Sequence, residues 1–325
     1  MEKRNDTYQY VILSLLALLS VGSAFTLALN KPIADIPETG LAAVGEIIPQ
    51  ETAAPFPEVA LEAKAAVVFD VHRGIIIFEK NGDAQLPLAS LTKLMTAAVA
   101  EDLLAEDTVI TIRAEHVRPN DSAPLLVGEH WNLKDLLDFT LMASSNSGAA
   151  ALSGAAEEAL SLRQEGSNTF LARMNAKAHD LGLTGTYFIN ETGLDHSGEL
   201  AGNSGSARDI AKLFSYLILK RPLLLEATRY PKLTFTTLEN TSHTARNTDT
   251  ALPFIPNLIG SKTGFTDLAG GNLAVAYDAG IGHPVIVVVL GSTEAGRFSD
   301  VKKLVDAALQ CVNTFCAPTT QTSSL

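Results

Sequence analysis

The chain holds only two cysteines, Cys311 and Cys316, and its seven histidines are scattered, so no metal-ligand spacing exists. No H-E-x-x-H pair occurs, which excludes a zincin-type hydrolase, and nothing calls for a metal or any other cofactor. No G-x-S-x-G elbow occurs either, which disfavours a Ser-His-Asp esterase. Cations are scarce as well: 24 Lys and Arg stand against 36 Asp and Glu, for a net charge of −12, without any basic run. Phosphate binding needs concentrated positive charge, so nucleic acid is not a partner. No internal repeat of fixed period is found. Five residues apart on a helix, the two cysteines would not face each other; they can pair only where that stretch leaves the helix.

What is present begins with an apolar leader. Lys3 and Arg4 precede an almost unbroken apolar stretch, Val11 to Leu29. It exceeds the ~7–15 residues of a signal-peptide core and approaches the ~20 that span a bilayer. Gly22, Ser23 and Ala24 leave a cleavage site open, but the length favours a retained membrane anchor over residues 1–30. In both cases the body is exported, with the N-terminus cytoplasmic. Residues 31–60 carry five prolines (Pro32, Pro37, Pro49, Pro55 and Pro57) and read as an extended spacer. A folded body is expected over 61–315 and a flexible tail over 316–325; 46% apolar and 18% charged residues suit a sizeable core.

Within the body, Ala65–Asp70 and Ile75–Lys80 are β-rich runs around His72-Arg73-Gly74, predicting a hairpin. A helix is expected from Ser90 to about Leu104. Leu133, Leu136, Leu137 and Leu141 recur at helical spacing, and Gly148–Leu162 is rich in alanine. Strands return at Ile259–Thr266, Asn272–Tyr277 and Pro284–Leu290, before an amphipathic helix over Arg297–Val312. This order predicts an α+β fold: one antiparallel sheet closed from both chain ends, a helical lobe beside it, and a ligand cleft between them.

Three short motifs follow in order. Ser90-Leu91-Thr92-Lys93 is S-x-x-K, Ser144-Ser145-Asn146 is S-x-N, and Lys262-Thr263-Gly264 is K-T-G, a trio characteristic of penicillin-binding proteins and class A β-lactamases. Ser90 and Lys93 are spaced to share a helix face, and Lys93 can act as base to Ser90 only if desolvation or a nearby cation such as Lys262 lowers its pKa. The S-x-N triplet is expected on a turn between two helices. There Ser144 can relay a proton between Lys93 and a leaving amine, and Asn146 can hold a peptide backbone. Lys262 and Thr263 suit a terminal carboxylate, and Gly264 admits a peptide close to the strand. Each motif alone is unremarkable: a helix start, a helix cap and a turn.

The sequence resembles the D-alanyl-D-alanine carboxypeptidase family of low-molecular-mass penicillin-binding proteins over about Leu61 to Cys311. The likeness runs through Pro87–Thr96, Leu136–Asn146, Phe188–Asp195, Ser206–Asp209 and Gly260–Thr266. It implies a penicillin-recognising, β-lactamase/transpeptidase-like fold and peptidoglycan stem peptides ending in D-Ala-D-Ala as substrate. It further implies acylation of Ser90 by the penultimate D-Ala carbonyl, β-lactams as covalent inhibitors, and an oxyanion hole from the backbone N–H groups of Ser90 and Phe265. The chain departs from the family pattern at Ser147-Gly148, after S-x-N.

Rival readings use the same serine. A D,D-endopeptidase or transpeptidase differs only in cleft shape and acceptor. A class A β-lactamase needs a deacylating glutamate, and Glu191-Thr192-Gly193-Leu194-Asp195 approaches its E-x-x-L-N string. An inactive cell-wall binding protein is opposed by the intact Ser90, Lys93, Ser144, Asn146, Lys262 and Thr263.

Overall fold

The β-branched run at each end of the body forms a strand because period-two alternation feeds two separate cores. The computed structural model describes residues 54–119, 121, 123–163, 169–314 and 316. The expected anchor and most of the spacer, as well as the tail beyond Cys316, lie outside the described residues.

In chain order the body contains β1 (Ala65–Asp70), β2 (Ile75–Lys80), β3 (Leu86–Pro87), a 3-10 turn (Ala89–Leu91), α1 (Thr92–Leu103), β4 (Val109–Thr111) and β5 (His130–Asn132). Next come α2 (Leu133–Ala143), α3 (Asn146–Leu162), α4 (Phe170–Asp180), β6 (Tyr187–Phe188), β7 (Asn203–Gly205), α5 (Ala207–Lys220), β8 (Lys232–Thr236) and β9 (Ser242–Arg246). The chain finishes with β10 (Leu258–Thr266), β11 (Gly270–Asp278), β12 (Pro284–Ser292) and α6 (Gly296–Thr314).

The main sheet runs β10-β11-β12-β1-β2 and is antiparallel throughout, so the two chain ends do close one sheet, as expected. Val67, Phe69, Ile286 and Val288 point into a core shared with the helical lobe. Their neighbours Ala66, Val68, Val287 and Val289 face the opposite core, built with Val301, Leu304, Val305 and Ala308 of α6. Packing begins before Leu61: the Phe56 ring sits 4.9 Å from Phe78, so the end of the proline-rich stretch lies on the sheet.

Helix starts follow their caps. Ser145 accepts from Gly148 N at the head of α3, and Ser206 from Asp209 N at the head of α5. Arg208, also in that second segment, pairs with Glu79 of β2, while Asp209 accepts from Gly185 N at 2.7 Å. The Ser206–Asp209 segment is therefore structural. Cys311 and Cys316 form a disulfide, because α6 ends at Thr314 and the chain turns back, with Cys316 N donating to Cys311 O.

Candidate active site

Ser90 stands in the 3-10 turn that leads into α1, and Lys93 follows three residues on. Ala89, just before the serine, sits at φ +48°, a left-handed conformation that costs a residue with a Cβ ~1–2 kcal/mol. The turn is clamped from several sides. Asn272 of β11 donates to Pro87 O and Leu88 O, and Leu88 N donates to Asn203 O. Gly193 (φ +82°) packs so closely that a Cβ would lie 1.9 Å from Ala89 O.

The S-x-N triplet lies between α2 and α3, as expected. Ser144 ends α2 in a left-handed conformation (φ +58°), Ser145 caps α3, and Asn146 opens it. Asp121 secures this turn, accepting from Ser147 N at 2.6 Å and from Ser145 Oγ at 3.0 Å.

Lys93 is fully buried, and its Nζ reaches three oxygens: Ser90 Oγ (2.8 Å), Asn146 Oδ1 (2.7 Å) and Thr192 O (2.9 Å). Two of these can only accept. A neutral amine has two N–H bonds and one lone pair, so Asn146 and Thr192 take both hydrogens and leave the lone pair for the Ser90 hydroxyl. Burial favours that neutral form, lowering the Lys93 ammonium from 10.5 to about 7 against the opposing charges of Asp121 and Glu191.

The K-T-G strand β10 closes the other side. Lys262 is buried and donates to Ser144 Oγ at 2.8 Å and to Thr263 O at 3.0 Å. Ser144 is thus held by Lys262; the direct Ser144–Lys93 contact expected for a relay is not formed. Burial first, then Lys93 and then Arg297, push Lys262 well below the ordinary lysine range, so the anticipated effect between the two lysines falls on Lys262. A Cβ on Gly264 would come 2.9 Å from Leu88 O and 3.1 Å from Ser90 N, which sets the K-T-G backbone directly against the Ser90 N–H. Phe265 follows, 42% exposed at the cleft.

Several contributors carry no local signal in the sequence. Arg297, from α6, donates to Gly264 O at 2.8 Å and stands 5.9 Å from the Phe265 ring centroid. Thr248 hydrogen-bonds Thr263 through their hydroxyls, and Asp195 accepts from Thr266 Oγ1 at 3.0 Å. Glu191, the candidate β-lactamase glutamate, has its carboxylate paired with Arg118 at 3.2 Å, which does not suit a free deacylating base.

A serine on a strained turn, a buried lysine beside it and a second lysine on the facing strand define an active-site-serine peptidase of the penicillin-binding class. The chain belongs to the D-alanyl-D-alanine carboxypeptidase family, whose sequence profile matches residues 50–294. It is 31% identical over 255 residues to the D-alanyl-D-alanine endopeptidase of Pseudomonas aeruginosa, covering 75% of this chain and 76% of that one. It is 30% identical over 272 residues to the D-alanyl-D-alanine carboxypeptidase DacF of Bacillus subtilis, covering 77% and 63% respectively. Among solved structures, penicillin-binding protein D2 of Listeria monocytogenes in its ampicillin-bound form superposes with a TM-score of 0.63 at 32% identity, over 77% of this chain and 98% of that one.

Proposed function

We propose that this chain removes the terminal D-alanine from peptidoglycan stem peptides through an acyl-enzyme on Ser90. The observation that carries the reading is the placement of the buried Lys93 Nζ 2.8 Å from Ser90 Oγ, with two acceptors, Asn146 Oδ1 and Thr192 O, on its other sides to take the hydrogens of the neutral amine. Ser90 Oγ attacks the penultimate D-Ala carbonyl while Lys93 takes its proton. The backbone N–H groups of Ser90 and Phe265 receive the oxyanion; losing one such donor costs ~3 kcal/mol of transition-state stabilisation. Lys93 then returns that proton to the departing D-Ala nitrogen, which Ser144, held by Lys262, accepts as a hydrogen-bond partner, and water releases the acyl group. Asn146 and Gly264 align the peptide, and Lys262 with Thr263 anchors its terminal carboxylate. A bound carboxylate also adds an anion beside Lys262, which favours the charged state of Lys262.

Cross-linked peptides are a second substrate class for the same serine, and the endopeptidase name of the Pseudomonas relative favours testing them. The family's cell-wall substrate and the apolar segment Val11–Leu29 support action outside the cytoplasm by a membrane-tethered enzyme. Among the described residues no helix is long and apolar enough to cross a membrane.

The test is intact-mass analysis of the protein with a penicillin over time. A long-lived adduct mapping to Ser90 and absent from Ser90→Ala is expected. Acylation of folded Ser90→Ala, or rapid turnover of the penicillin, would refute the assignment.

A further inference from the structure

Between β6 and β7 the chain forms neither helix nor strand over residues 189–202, yet this segment delivers Thr192 O to Lys93 Nζ at 2.9 Å. With no ladder or helical turn to hold it, the carbonyl is set by side chains. Asn190 is the hub: its Oδ1 accepts from Thr192 N (3.0 Å), Thr192 Oγ1 (3.1 Å) and Gly193 N (2.6 Å), and its Nδ2 donates to Leu194 O at 3.0 Å. Such an Asx turn uses a side-chain oxygen where a backbone turn uses a carbonyl. The asparagine is itself tied to α1. Asn203 accepts from Asn190 N at 3.1 Å and donates to Asn190 O (3.0 Å) and to Thr92 Oγ1 (2.7 Å). Thr96 Oγ1 donates to Glu191 O at 2.7 Å. Gly193, gripped by the same Asn190 Oδ1, is the residue packed against Ala89 O.

We propose that Asn190 is a positioning residue for acylation: its side-chain amide closes the 190–193 turn that presents Thr192 O to Lys93 and seats Gly193 against the Ser90 turn. This rests on the reading of Lys93 as the base. Of the two acceptors that take hydrogens of the neutral amine, Asn146 Oδ1 is placed by the start of α3, whereas Thr192 O owes its place to Asn190. Without the turn the amine keeps one of those acceptors and rotates about its Cε–Nζ bond, so its lone pair spends less time on Ser90 Oγ. Asn190 thus acts through Thr192 and Gly193 rather than on the reacting atoms. The charged groups facing Lys93 are Asp121 from the loop before β5, Glu191 from this same segment and Lys262 from β10, and the neutral Asn190 adds no charge to them.

The experiment is the second-order rate of acylation of the full-length protein by a penicillin, read by rapid quench and intact mass across about pH 5.5 to 9. Asn190→Ala removes the acceptor for all three donors, and its rate at the pH optimum should fall about 10–100-fold. Asn190→Asp keeps that acceptor and gives up only the contact to Leu194 O, so its optimum rate should return to within about threefold of wild type. The carboxylate also adds an anion facing Lys93, which should move the acid limb of Asn190→Asp to higher pH by roughly half a unit. Asn190→Ser, whose hydroxyl closes such a turn more weakly, should acylate more slowly than Asn190→Asp, and it serves where Asn190→Ala does not fold. Asn190→Ala acylating within about threefold of wild type, Asn190→Asp as slow as Asn190→Ala, or an acid limb in Asn190→Asp identical to wild type would each overturn the proposal. A wild-type rate that is flat across the acid range would instead defeat Lys93 as the base.

Discussion

Burial of Lys93 makes the acylation rate a direct readout of its charge. An ordinary lysine at 10.5 has only ~3 parts in 10⁴ of neutral amine at pH 7, whereas one at about 7 has about half. Desolvation therefore enlarges the base-competent population on the order of 10³-fold, at a cost to the folded state on the order of 5 kcal/mol. The neutral fraction falls to about one tenth at pH 6 and rises to about nine tenths at pH 8. The second-order rate of acylation by a penicillin, followed by rapid quench and intact mass, should climb with a log slope near +1 and level off around pH 7. Its alkaline limb belongs to loss of the proton from Lys262, and the apparent values describe the two lysines as a pair. Lys93→Arg keeps the charge but cannot deprotonate, so acylation should drop ~10²–10⁴-fold. The sign for stability is the same: the unfolded chain binds the extra proton between about pH 7 and 10.5, so Lys93 makes unfolding harder as pH rises through that window. A rate that is flat from about pH 5.5 to 7.5, or Lys93→Arg acylating within about tenfold of wild type, would refute Lys93 as the base.

Two further substitutions probe the facing strand. Lys262→Ala should raise KM for peptides with a free terminal carboxylate far more than for their amides, as measured by D-alanine release; equal effects on both would reduce Lys262 to a general electrostatic contribution. Gly264→Ala places a methyl group against Leu88 O and Ser90 N. Pushing β10 away from the nucleophile by a few tenths of an ångström should slow acylation ~10–100-fold with a loss of stability of only ~1–2 kcal/mol; urea melts together with acylation rates would expose the opposite pattern.

The elements that could be read from the sequence are those whose signal is periodic and local. The β1–β2 hairpin falls on the residues expected for it, and β10, β11 and β12 start and stop within about two residues of theirs. Their β-branched runs suit strands buried on both faces. The helix expected from Ser90 is instead a 3-10 turn followed by α1, because the clamps on Leu88 and Ala89 hold the serine in a tighter turn. The short strands β3, β6 and β7, two or three residues each, have too few positions to show alternation and exist through pairing across the chain. The hairpin of β8 and β9 was likewise illegible, its strands being largely exposed threonine, lysine and serine.

The sequence by itself determined the identities and spacings of Ser90, Lys93, Ser144, Asn146, Lys262, Thr263 and Gly264, because motif chemistry depends on residue type over three or four positions. Tertiary structure decided what those groups are worth. Lys93 meets its hydrogen-bond acceptors 53 and 99 positions away, and Lys262 meets Ser144 at 118. Only packing at that range removes water from two lysines and sets their charges, and it also brings Arg297 onto the K-T-G strand. Desolvation is a property of everything that surrounds a group, so no local reading of the chain contains it.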